Sequence, residues 1–252
     1  MLRTPAPLRS RPALTRIAFV LAVCVCPVLA PAAASAQTLA HQYFLAGNLA
    51  DALGGPALTA DGGSLSANGY TFGANQGLTT QFTQLSPYSI VLRFSFDAVT
   101  GYRKVVDYKG LSADAGAYVL DGADNFYPRA NGAPGAFTAG TLEQFVLTRN
   151  AAGIVAGYVN GVQQYSYDDS SLLDAIFTGN ANLFIDDNAT GQREASSGFV
   201  NYVAFYNGAL SAGQVAGLTF PSPTSTVPEP ATLAFVAAGV AAIGVARRRR
   251  SA

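Results

Sequence analysis

Cysteine is almost absent from this chain of 252 residues. The two cysteines, Cys24 and Cys26, lie together in an apolar stretch near the N-terminus. A valine precedes each of them, where a lipoprotein signal requires a small residue, so we do not expect lipid attachment. Once this stretch is removed as a signal peptide, the mature chain has no disulfide, no thiol nucleophile and no cysteine-based metal site.

Tryptophan is absent and histidine occurs once, as His41. A Ser-His-Asp triad therefore has one possible histidine, and nothing around His41 supports that arrangement. We expect His41 to be an exposed residue near the start of the mature chain. The absence of tryptophan also removes the largest aromatic side chain that stacks on sugar rings.

Basic residues are scarce between the two ends of the chain. The formal net charge is zero, from 15 Lys and Arg against 15 Asp and Glu, but eight of the basic residues are arginines within the first 16 and last six positions. Seven basic residues therefore oppose all 15 acidic residues between positions 37 and 230, which gives a net charge of −8. An acidic domain without a basic patch is not suited to nucleic acid, so we expect no nucleic-acid partner.

Residues 1–36 have the organisation of a secretory signal peptide. Four arginines between positions 3 and 16 form the basic region, residues 17–29 form the apolar region, and Ala34-Ser35-Ala36 is a small-x-small cleavage site. The apolar region is short for a membrane-spanning helix. We therefore expect export through the inner membrane and a mature chain that starts near Gln37.

Residues 37–218 are predicted to form one all-β domain. Glycine is abundant at 26 residues, there are 12 Tyr and 15 Phe, and turn signals such as Asn68-Gly69, Asn131-Gly132 and Asn160-Gly161 recur along the chain. Strands at this spacing favour a sandwich or barrel over alternating strands and helices.

Alternation of apolar and polar residues places the strands. Residues 88–97 put Tyr88, Ile90, Leu92, Phe94 and Phe96 on one face, as a half-buried antiparallel strand requires. Residues 199–206 are apolar on both faces, which predicts a central strand covered on each side. The other predicted strands are 103–108, 117–120, 125–127, 145–149, 154–159, 162–167 and 183–186. Residues 212–218 are predicted to be helical, after a capping box of Ser211 and Gln214.

The domain resembles the laminin-G-like branch of the concanavalin A-like jelly rolls over roughly residues 43–218. The resemblance lies in two blocks, residues 145–149 followed by Gly-Tyr-Val-Asn-Gly-Val at 157–162, and residues 198–211 followed by Val215 and Leu218. It implies a jelly-roll sandwich of two antiparallel sheets. Such domains commonly bind glycans or proteins and often hold calcium at their rim.

The tail from residue 227 onwards has three parts. It opens with the tetrad Val227, Pro228, Glu229 and Pro230, continues with an apolar run at 231–246, and ends in basic residues. The prolines keep the tetrad extended and accessible, and the run is long enough for about 24 Å of helix, short of a hydrocarbon core of roughly 30 Å. We expect a temporary transmembrane helix after a Pro/Ser/Thr linker at 219–226.

The basic residues are four consecutive arginines that resist translocation and hold this end on the cytoplasmic side, Arg247, Arg248, Arg249 and Arg250. The tail resembles the PEP-CTERM sorting signal of exported bacterial proteins. The resemblance implies that an exosortase, a membrane protease, recognises the tetrad and removes the tail, leaving the domain in the cell envelope or outside the cell. The alternative is an ordinary C-terminal membrane anchor.

Calcium is the one metal that the sequence suggests. Asp186-Asp187-Asn188 ends a predicted strand and Glu194 follows across a polar loop. Oxygen ligands from a strand end and its loop suit a hard cation, so Asp186, Asp187 and Glu194 are candidate Ca²⁺ ligands. The same composition is common in turns, and no EF-hand spacing is present. A second acidic pair, Asp168-Asp169, we expect to be a solvated loop.

Catalytic and sugar-binding residues are harder to assign. Related glycoside hydrolases carry two glutamates on one strand in a Glu-x-Asp-x-x-Glu pattern, whereas the candidates here, Glu143 and Glu194, are far apart in sequence and lack that pattern. The tyrosines considered for sugar stacking are Tyr127, Tyr165, Tyr167 and Tyr206. Tyrosines at alternating positions are more often core residues, so the sequence identifies no sugar site.

We therefore expect an exported, non-catalytic β-sandwich that acts in adhesion or polysaccharide association. Its partners are expected to be an exosortase, an extracellular polysaccharide or other glycan, and transiently the membrane. The alternatives are a structural matrix protein without a defined ligand and an atypical glycoside hydrolase.

Overall fold

The computed structural model describes residues 37–220. The predicted signal peptide, most of the linker and the whole sorting tail, including its tetrad and arginines, lie outside the described residues. Within 37–220, no helix has the length and apolar character needed to cross a bilayer.

The described residues form 15 strands and one short helix. The elements are β1 Thr38–Tyr43, β2 Thr59–Asp61, β3 Ser64–Ser66, β4 Gly69–Phe72, β5 Gly77–Thr79, β6 Tyr88–Phe96, β7 Tyr102–Asp107, β8 Gly116–Leu120, β9 Ala123–Tyr127, β10 Ala130–Asn131, β11 Glu143–Arg149, β12 Ile154–Val159, β13 Val162–Asp168, β14 Asn182–Leu183, β15 Gly198–Asn207 and α1 Ala212–Ala216.

Two antiparallel sheets pack face to face. Sheet A has eight strands in the order β13-β12-β11-β6-β15-β4-β3, with β1 also paired to β15, and sheet B has seven in the order β10-β9-β8-β7-β14-β5-β2. The strand pairs in both sheets are antiparallel. The predicted all-β jelly-roll sandwich is confirmed.

Aromatic rings fill the space between the sheets. The five residues of β6 predicted to face inward are all in this core and at most 2% exposed. At its centre, the Phe94 ring lies 4.9 Å from Phe96, 5.6 Å from Phe137, 6.4 Å from Phe145 and 5.2 Å from Phe184, measured between ring centroids. Residues 37–220 contain no cysteine, so burial of these rings stabilises the domain where other small exported domains use disulfide bonds.

The outer face of sheet A is covered by the end of the domain. Val215 of α1 is fully buried against Val91, Val146 and other residues of this face. Phe220 also packs here, with its ring centroid 5.2 Å from that of Tyr202. Phe220 was predicted to belong to the linker, but it packs as part of the domain.

Strand β15 is covered on both faces, as predicted, but its alternation is interrupted. A bulge between Val200 and Tyr202 shifts the register against β6. Val200 therefore lies in the core with Val203, while Tyr202 and Ala204 face α1. Strict alternation would place Val200 on the same face as Tyr202. The bulge changes this, and it cannot be predicted from a run of consecutive apolar residues.

The predicted cap and the predicted turn at Asn160-Gly161 are present, whereas Asn131 lies in β10 and forms no turn with Gly132. Asn160 and Gly161 have φ of 50° and 80° and join β12 to β13, and Asp121 and Gly122 do the same for β8 and β9 at 48° and 77°. Ser211 caps α1 and forms the capping box with Gln214. The helix ends at Ala216, two residues earlier than predicted.

The predicted strand 183–186 is wrong after its first residue. Only Asn182 and Leu183 pair as a strand, because Phe184 turns the chain with a φ of 68° while its ring is fully buried in the core. The first five strands were not predicted. Four of them, β2 to β5, are only three or four residues long, and β2 and β3 are exposed, so they carry little alternation.

One carboxyl group, that of Asp124 on β9, is buried between the sheets. Asp124 is 0% exposed, and no side chain among the described residues hydrogen-bonds either of its oxygens. A methyl group added to Gly157 of β12 would lie 2.4 Å from both Asp124 Oδ2 and Tyr165 Cζ, so the carboxyl group packs directly on the facing sheet. Burial raises the pKa of Asp124 well above its ordinary value, against a smaller opposing effect of the Asn125 N–H.

We expect Asp124→Asn to raise the Tm at neutral and alkaline pH. The folded protein holds a proton on Asp124 where the unfolded chain has lost it, so this group lowers stability as the pH rises above its unfolded pKa of 3.8. The gain in Tm, about 2–4 °C for each kcal/mol in a domain of this size, should shrink toward pH 4. Thermal unfolding across pH measures it, with the exposed Asp61→Asn as control. An equal loss of Tm at every pH would contradict this account.

Candidate functional site on the outer face of sheet B

The outer face of sheet B is not covered by another element of the described residues. Val119 and Phe126 point into the core, so by strand alternation their neighbours point outward. These neighbours are Tyr118, Leu120, Asn125 and Tyr127. Tyr102 and Lys104 of the adjacent strand β7 lie on the same face, because Tyr102 pairs with Leu120 and Lys104 with Tyr118.

Three tyrosines form an aromatic cluster on this face. The ring centroids of Tyr102 and Tyr118 are 5.4 Å apart, those of Tyr102 and Tyr127 are 5.7 Å apart, and those of Tyr118 and Tyr127 are 6.4 Å apart. All three pairs meet edge to face, at 80–84°. Tyr118 is buried beneath the other two, which keep part of their rings exposed. We call these residues the tyrosine cluster.

A groove of about 260 Å³ opens beside the tyrosine cluster. It runs between strands β7 to β9 and the short strand β10. Its lining includes Tyr102, Leu120, Asn125, Tyr127, Arg129 and Asn131. The groove therefore combines two aromatic rings with amide and guanidinium groups.

Hydrogen bonds fix the far wall of the groove. Asn125 Nδ2 donates to the Ala130 carbonyl and to Asn131 Oδ1, each at 3.0 Å, which holds β10 against β9. Arg129 Nε lies 2.5 Å from Asp174 Oδ2 in a partly exposed ion pair. The wall is thus preorganised, and the charge of Arg129 is balanced within the protein.

Lys104 lies under the tyrosine cluster and is 0% exposed. Its Nζ is 2.6 Å from Asp187 Oδ2, 3.3 Å from the Asp114 carbonyl oxygen and 4.0 Å from the centre of the Tyr118 ring. The Tyr118 hydroxyl donates to Asp114 Oδ1 at 2.6 Å and lies 3.3 Å from Asp187 Oδ2. Burial, followed by the hydrogen bond to Asp114, raises the pKa of Tyr118.

The three candidate calcium ligands lie along one loop beside β7. Asp186 and Asp187 are both 0% exposed. Asp186 Oδ2 accepts hydrogen bonds from Thr190 Oγ1 and the Glu194 N–H, at 2.9 and 2.8 Å. Asp187 Oδ1 accepts from the N–H groups of Ala189 and Thr190, at 2.8 and 3.3 Å. The two aspartates therefore fold the loop around themselves.

Of the four oxygens of these two aspartates, three accept hydrogen bonds, and the buried Asp186 Oδ1 has no partner among the described residues. Both oxygens of Asp187 already accept hydrogen bonds, and the Lys104 ammonium group lies 2.6 Å from one of them. Burial would raise the pKa of Asp187, but the hydrogen bond and charge of Lys104 and the loop N–H groups lower it below its ordinary value. Within residues 37–220, no group of three or more His, Cys, Asp or Glu side chains is arranged to hold a metal ion.

Glu194 is the least constrained carboxyl group of the loop. Its side chain is half-buried, and burial, followed by the nearby charges of Asp114 and Asp186, raises its pKa. The other candidate catalytic residue, Glu143, begins β11 of sheet A and is 6% exposed. Glu143 thus lies in sheet A and Glu194 in a loop beside β7, and the structure does not pair them on one strand.

Two expectations about single residues are wrong. His41 is not an exposed terminal residue: it lies in β1, with Nδ1 2.7 Å from Asp51 Oδ2 and its ring stacked on Phe82 at 3.8 Å. Asp169 is not in a solvated loop, because it is 0% exposed and bonded to Arg149 Nε at 2.9 Å. Both predictions failed because the residues that bury these side chains are distant in sequence, Phe82 for His41 and Arg149 for Asp169.

Of the tyrosines considered for sugar stacking, only Tyr127 lines the groove. Tyr165 is 7% exposed in the core between the sheets, Tyr167 packs on Phe126, and Tyr206 lies on the outer face of sheet A. Sequence reasoning missed Tyr102, which lies one residue before the predicted strand 103–108 and begins β7. The pairing of β7 with β8, which brings Tyr102 beside Tyr118, could not be read from the chain.

Comparison with known proteins identifies the end of the chain. Residues 226–250 match the PEP-CTERM protein-sorting motif. The chain carries this sorting signal at its C-terminal end. The match covers none of the β-sandwich, and comparison with curated protein sequences gives no match to the chain.

Solved structures with a similar fold include a domain of an arabinanase and a sialidase. Domain 4 of AbnA, a GH43 extracellular arabinanase from Geobacillus stearothermophilus, in complex with arabinotriose, has a TM-score of 0.52 and 16% identity over 72% of this chain and 98% of that chain. Trypanosoma rangeli sialidase, in complex with 2,3-difluorosialic acid, has a TM-score of 0.56 and 14% identity over 71% of this chain and 32% of that chain. At such identity the likeness shows the fold alone. The narrower laminin-G-like assignment stays a prediction.

We expect Lys104→Met to cost about 3–5 kcal/mol of unfolding free energy, because it leaves the Asp187 carboxylate buried without a cation. The double variant Lys104→Met, Asp187→Leu should recover most of this loss. Since the pKa of Asp187 is lowered, the stabilisation is present above the ordinary value of 3.8 and disappears as the pH falls below it. Urea unfolding at neutral pH measures all three proteins.

The control is the more exposed pair Arg129 and Asp174, with side chains 35% and 18% exposed. Arg129→Met should cost no more than about 1 kcal/mol. If Lys104→Met costs as little as Arg129→Met, the ion pair under the tyrosine cluster is not the constraint described above.

Proposed function

We propose that this protein is exported, sorted by an exosortase through its PEP-CTERM signal, and binds a neutral, hydroxyl-rich polysaccharide in the groove on sheet B without catalysing a reaction. Its place of action is the cell envelope or the extracellular polysaccharide matrix. The sorting part follows from the C-terminal motif. The binding part rests on the groove.

The pair of half-exposed rings, Tyr102 and Tyr127, carries the proposal. They stand 5.7 Å apart and nearly perpendicular at one side of a groove whose other side presents amide groups. The apolar face of a sugar ring packs against such aromatic surfaces, while its hydroxyl groups, which both donate and accept, pair with amides and backbone groups. Because the wall is already fixed by hydrogen bonds, ordering it on binding costs little.

Charge favours a neutral ligand. The region between positions 37 and 230 carries a net charge of −8, and Asp114 and Glu194 lie beside the tyrosine cluster. Arg129, the cation of the groove, is already paired with Asp174. An acidic polysaccharide would therefore meet repulsion without a free partner for its carboxylates.

The fold supports this proposal only as an analogy. Domain 4 of AbnA was solved with arabinotriose, and it covers 72% of this chain. Shared folds host unrelated functions, so the groove, and not the fold, must carry the function.

One observation favours a second candidate, an atypical glycoside hydrolase. Glu194 has a raised pKa beside the tyrosine cluster, as a general acid requires. A second carboxylate at a working separation is also needed. Glu143 lies in sheet A, and the aspartates near Glu194 are engaged in hydrogen bonds within the protein. We therefore propose binding without hydrolysis. A structural matrix protein without a ligand is the remaining alternative.

Binding is tested by a glycan array with the purified domain 37–220, followed by calorimetry with the strongest neutral oligosaccharide. We expect Tyr127→Ala to weaken its binding about tenfold, equivalent to about 1.4 kcal/mol, because half of the aromatic wall is lost. Tyr206→Ala, on the outer face of sheet A, is the matched control and should bind as the parent does.

Three outcomes would contradict the proposal. Binding of nothing above background would favour a structural protein. Release of reducing ends from the bound glycan, abolished by Glu194→Gln, would favour the hydrolase. Equal weakening by Tyr127→Ala and Tyr206→Ala would place the binding surface outside the groove.

The sorting signal gives a separate prediction about the mature protein. Exosortase processing at the tetrad removes Arg247 to Arg250 from the exported form. Intact-mass measurement of surface and secreted material should therefore find a chain that lacks these arginines. With Pro228→Ala and Pro230→Ala combined, the full tail should be retained in the membrane fraction. Surface material that keeps all four arginines would show that the tail is a permanent anchor.

A further inference from the structure

The acidic residues beside the tyrosine cluster require a positive charge. Glu194 lies close to three aspartates, Asp114, Asp186 and Asp187. After burial, the charges of these aspartates raise the pKa of Glu194. Carboxylates gathered at one place repel one another, and they persist in a fold when a cation sits among them. In many proteins that cation is a metal ion held by several oxygen atoms.

Lys104 supplies the positive charge here. Its Nζ contacts a carboxylate oxygen of Asp187, the carbonyl oxygen of Asp114 and the face of the Tyr118 ring, all of which attract cations. The side chain is fully buried, so these contacts replace its water. Gly116 lies next to this side chain. A methyl group on Gly116 would lie 3.3 Å from Lys104 Nζ, which is a tight contact.

The backbone of β7 ties the same lysine to the acidic loop. The Lys104 N–H donates to the Glu194 carbonyl at 2.7 Å, and Phe184 donates to the neighbouring Val105 carbonyl at 3.0 Å. The loop from 184 to 194 therefore runs along the edge of β7, and the carboxylate of Asp187 contacts the lysine. Lys104 thus holds this loop through both its side chain and its backbone.

The tyrosine cluster depends on this arrangement. Lys104 packs on the face of Tyr118, whose hydroxyl is held by Asp114, and the Tyr118 edge contacts support Tyr102 and Tyr127. Lys104 is thus a positioning residue for the groove, although it does not line it.

We infer that the Lys104 ammonium group takes the place of a structural metal ion, so that the loop 184–194 and the groove it supports are independent of divalent cations. The part of this inference that concerns the groove rests on the function proposed above. The part that concerns the loop does not. Calcium was a hypothesis from the sequence, and the contacts of Asp187 with Lys104 favour the lysine in its place.

Thermal unfolding of domain 37–220 in EDTA and in millimolar Ca²⁺ gives the first test, with NaCl at equal ionic strength as control. We expect the Tm of the parent protein to differ by less than about 1 °C. A rise in Tm with Ca²⁺ that Asp187→Asn abolishes would overturn the inference, because a metal would then be bound at this loop.

Lys104→Ala gives the second test, since it removes the ammonium group and leaves space between the oxygens. We expect a lower Tm and a weaker near-ultraviolet circular dichroism signal from the tyrosines, both partly restored by Ca²⁺ and not by NaCl. Lys104→Met, which fills the space, should show no such recovery. A folded Lys104→Ala protein that does not respond to Ca²⁺ would refute the metal-like role. If Lys104→Ala does not fold, the test on the parent protein still decides.

Binding by the groove is measured separately. Affinity of the parent protein for its strongest neutral oligosaccharide should be equal, within twofold, in EDTA and in Ca²⁺. Binding that requires Ca²⁺ would overturn the inference. If no glycan binds at all, the proposed function fails, while the Tm measurements still test Lys104.

Discussion

Burial of aromatic rings between two sheets is the constraint on which the rest of this structure depends. Residues 37–220 have no cysteine and no tryptophan, so phenylalanine and tyrosine supply the large side chains of the core. Phe94 sits among four other phenylalanines, and Phe184 is drawn into this cluster even though its backbone must adopt a positive φ. Each aromatic contact adds about 0.5–1.5 kcal/mol to the burial of the rings, and this packing outweighs the cost of a strained backbone.

The strained turn at Phe184 has a consequence on the other side of sheet B. It ends β14 and sends the following residues along the edge of β7, where Asp186 and Asp187 become buried beside Lys104. The ion pair in turn holds Tyr118 and the tyrosine cluster. Core packing and the candidate site are therefore connected through one short loop. Sheet A differs because α1 and Phe220 pack on its outer face, whereas the groove described above opens on sheet B.

Much of the fold could be predicted from the sequence because patterns of consecutive residues determine its strands and turns. Alternation over residues 88–97 gave the central strand β6, and Asn160-Gly161 and Asp121-Gly122 gave two hairpins, since their φ values are ones that asparagine, aspartate and glycine tolerate. Ser211 and Gln214 marked the helix start. The site could not be predicted in the same way. Asp169 was predicted to be solvated, but it is buried in an ion pair with Arg149 of β11. The two residues are 20 positions apart in sequence, so no local pattern connects them.

The sequence by itself determined the sorting signal of the protein and the class of its fold. A sorting signal is read as a linear motif, and strand periodicity is a property of consecutive residues. Only the tertiary structure decided what stands on the open face. Tyr102, Tyr118 and Tyr127 become a cluster through cross-strand register, and Lys104 and Asp187, 83 positions apart, become an ion pair through the path of a loop. Register and loop path are set by packing of the whole core, so no local stretch of the chain contains them.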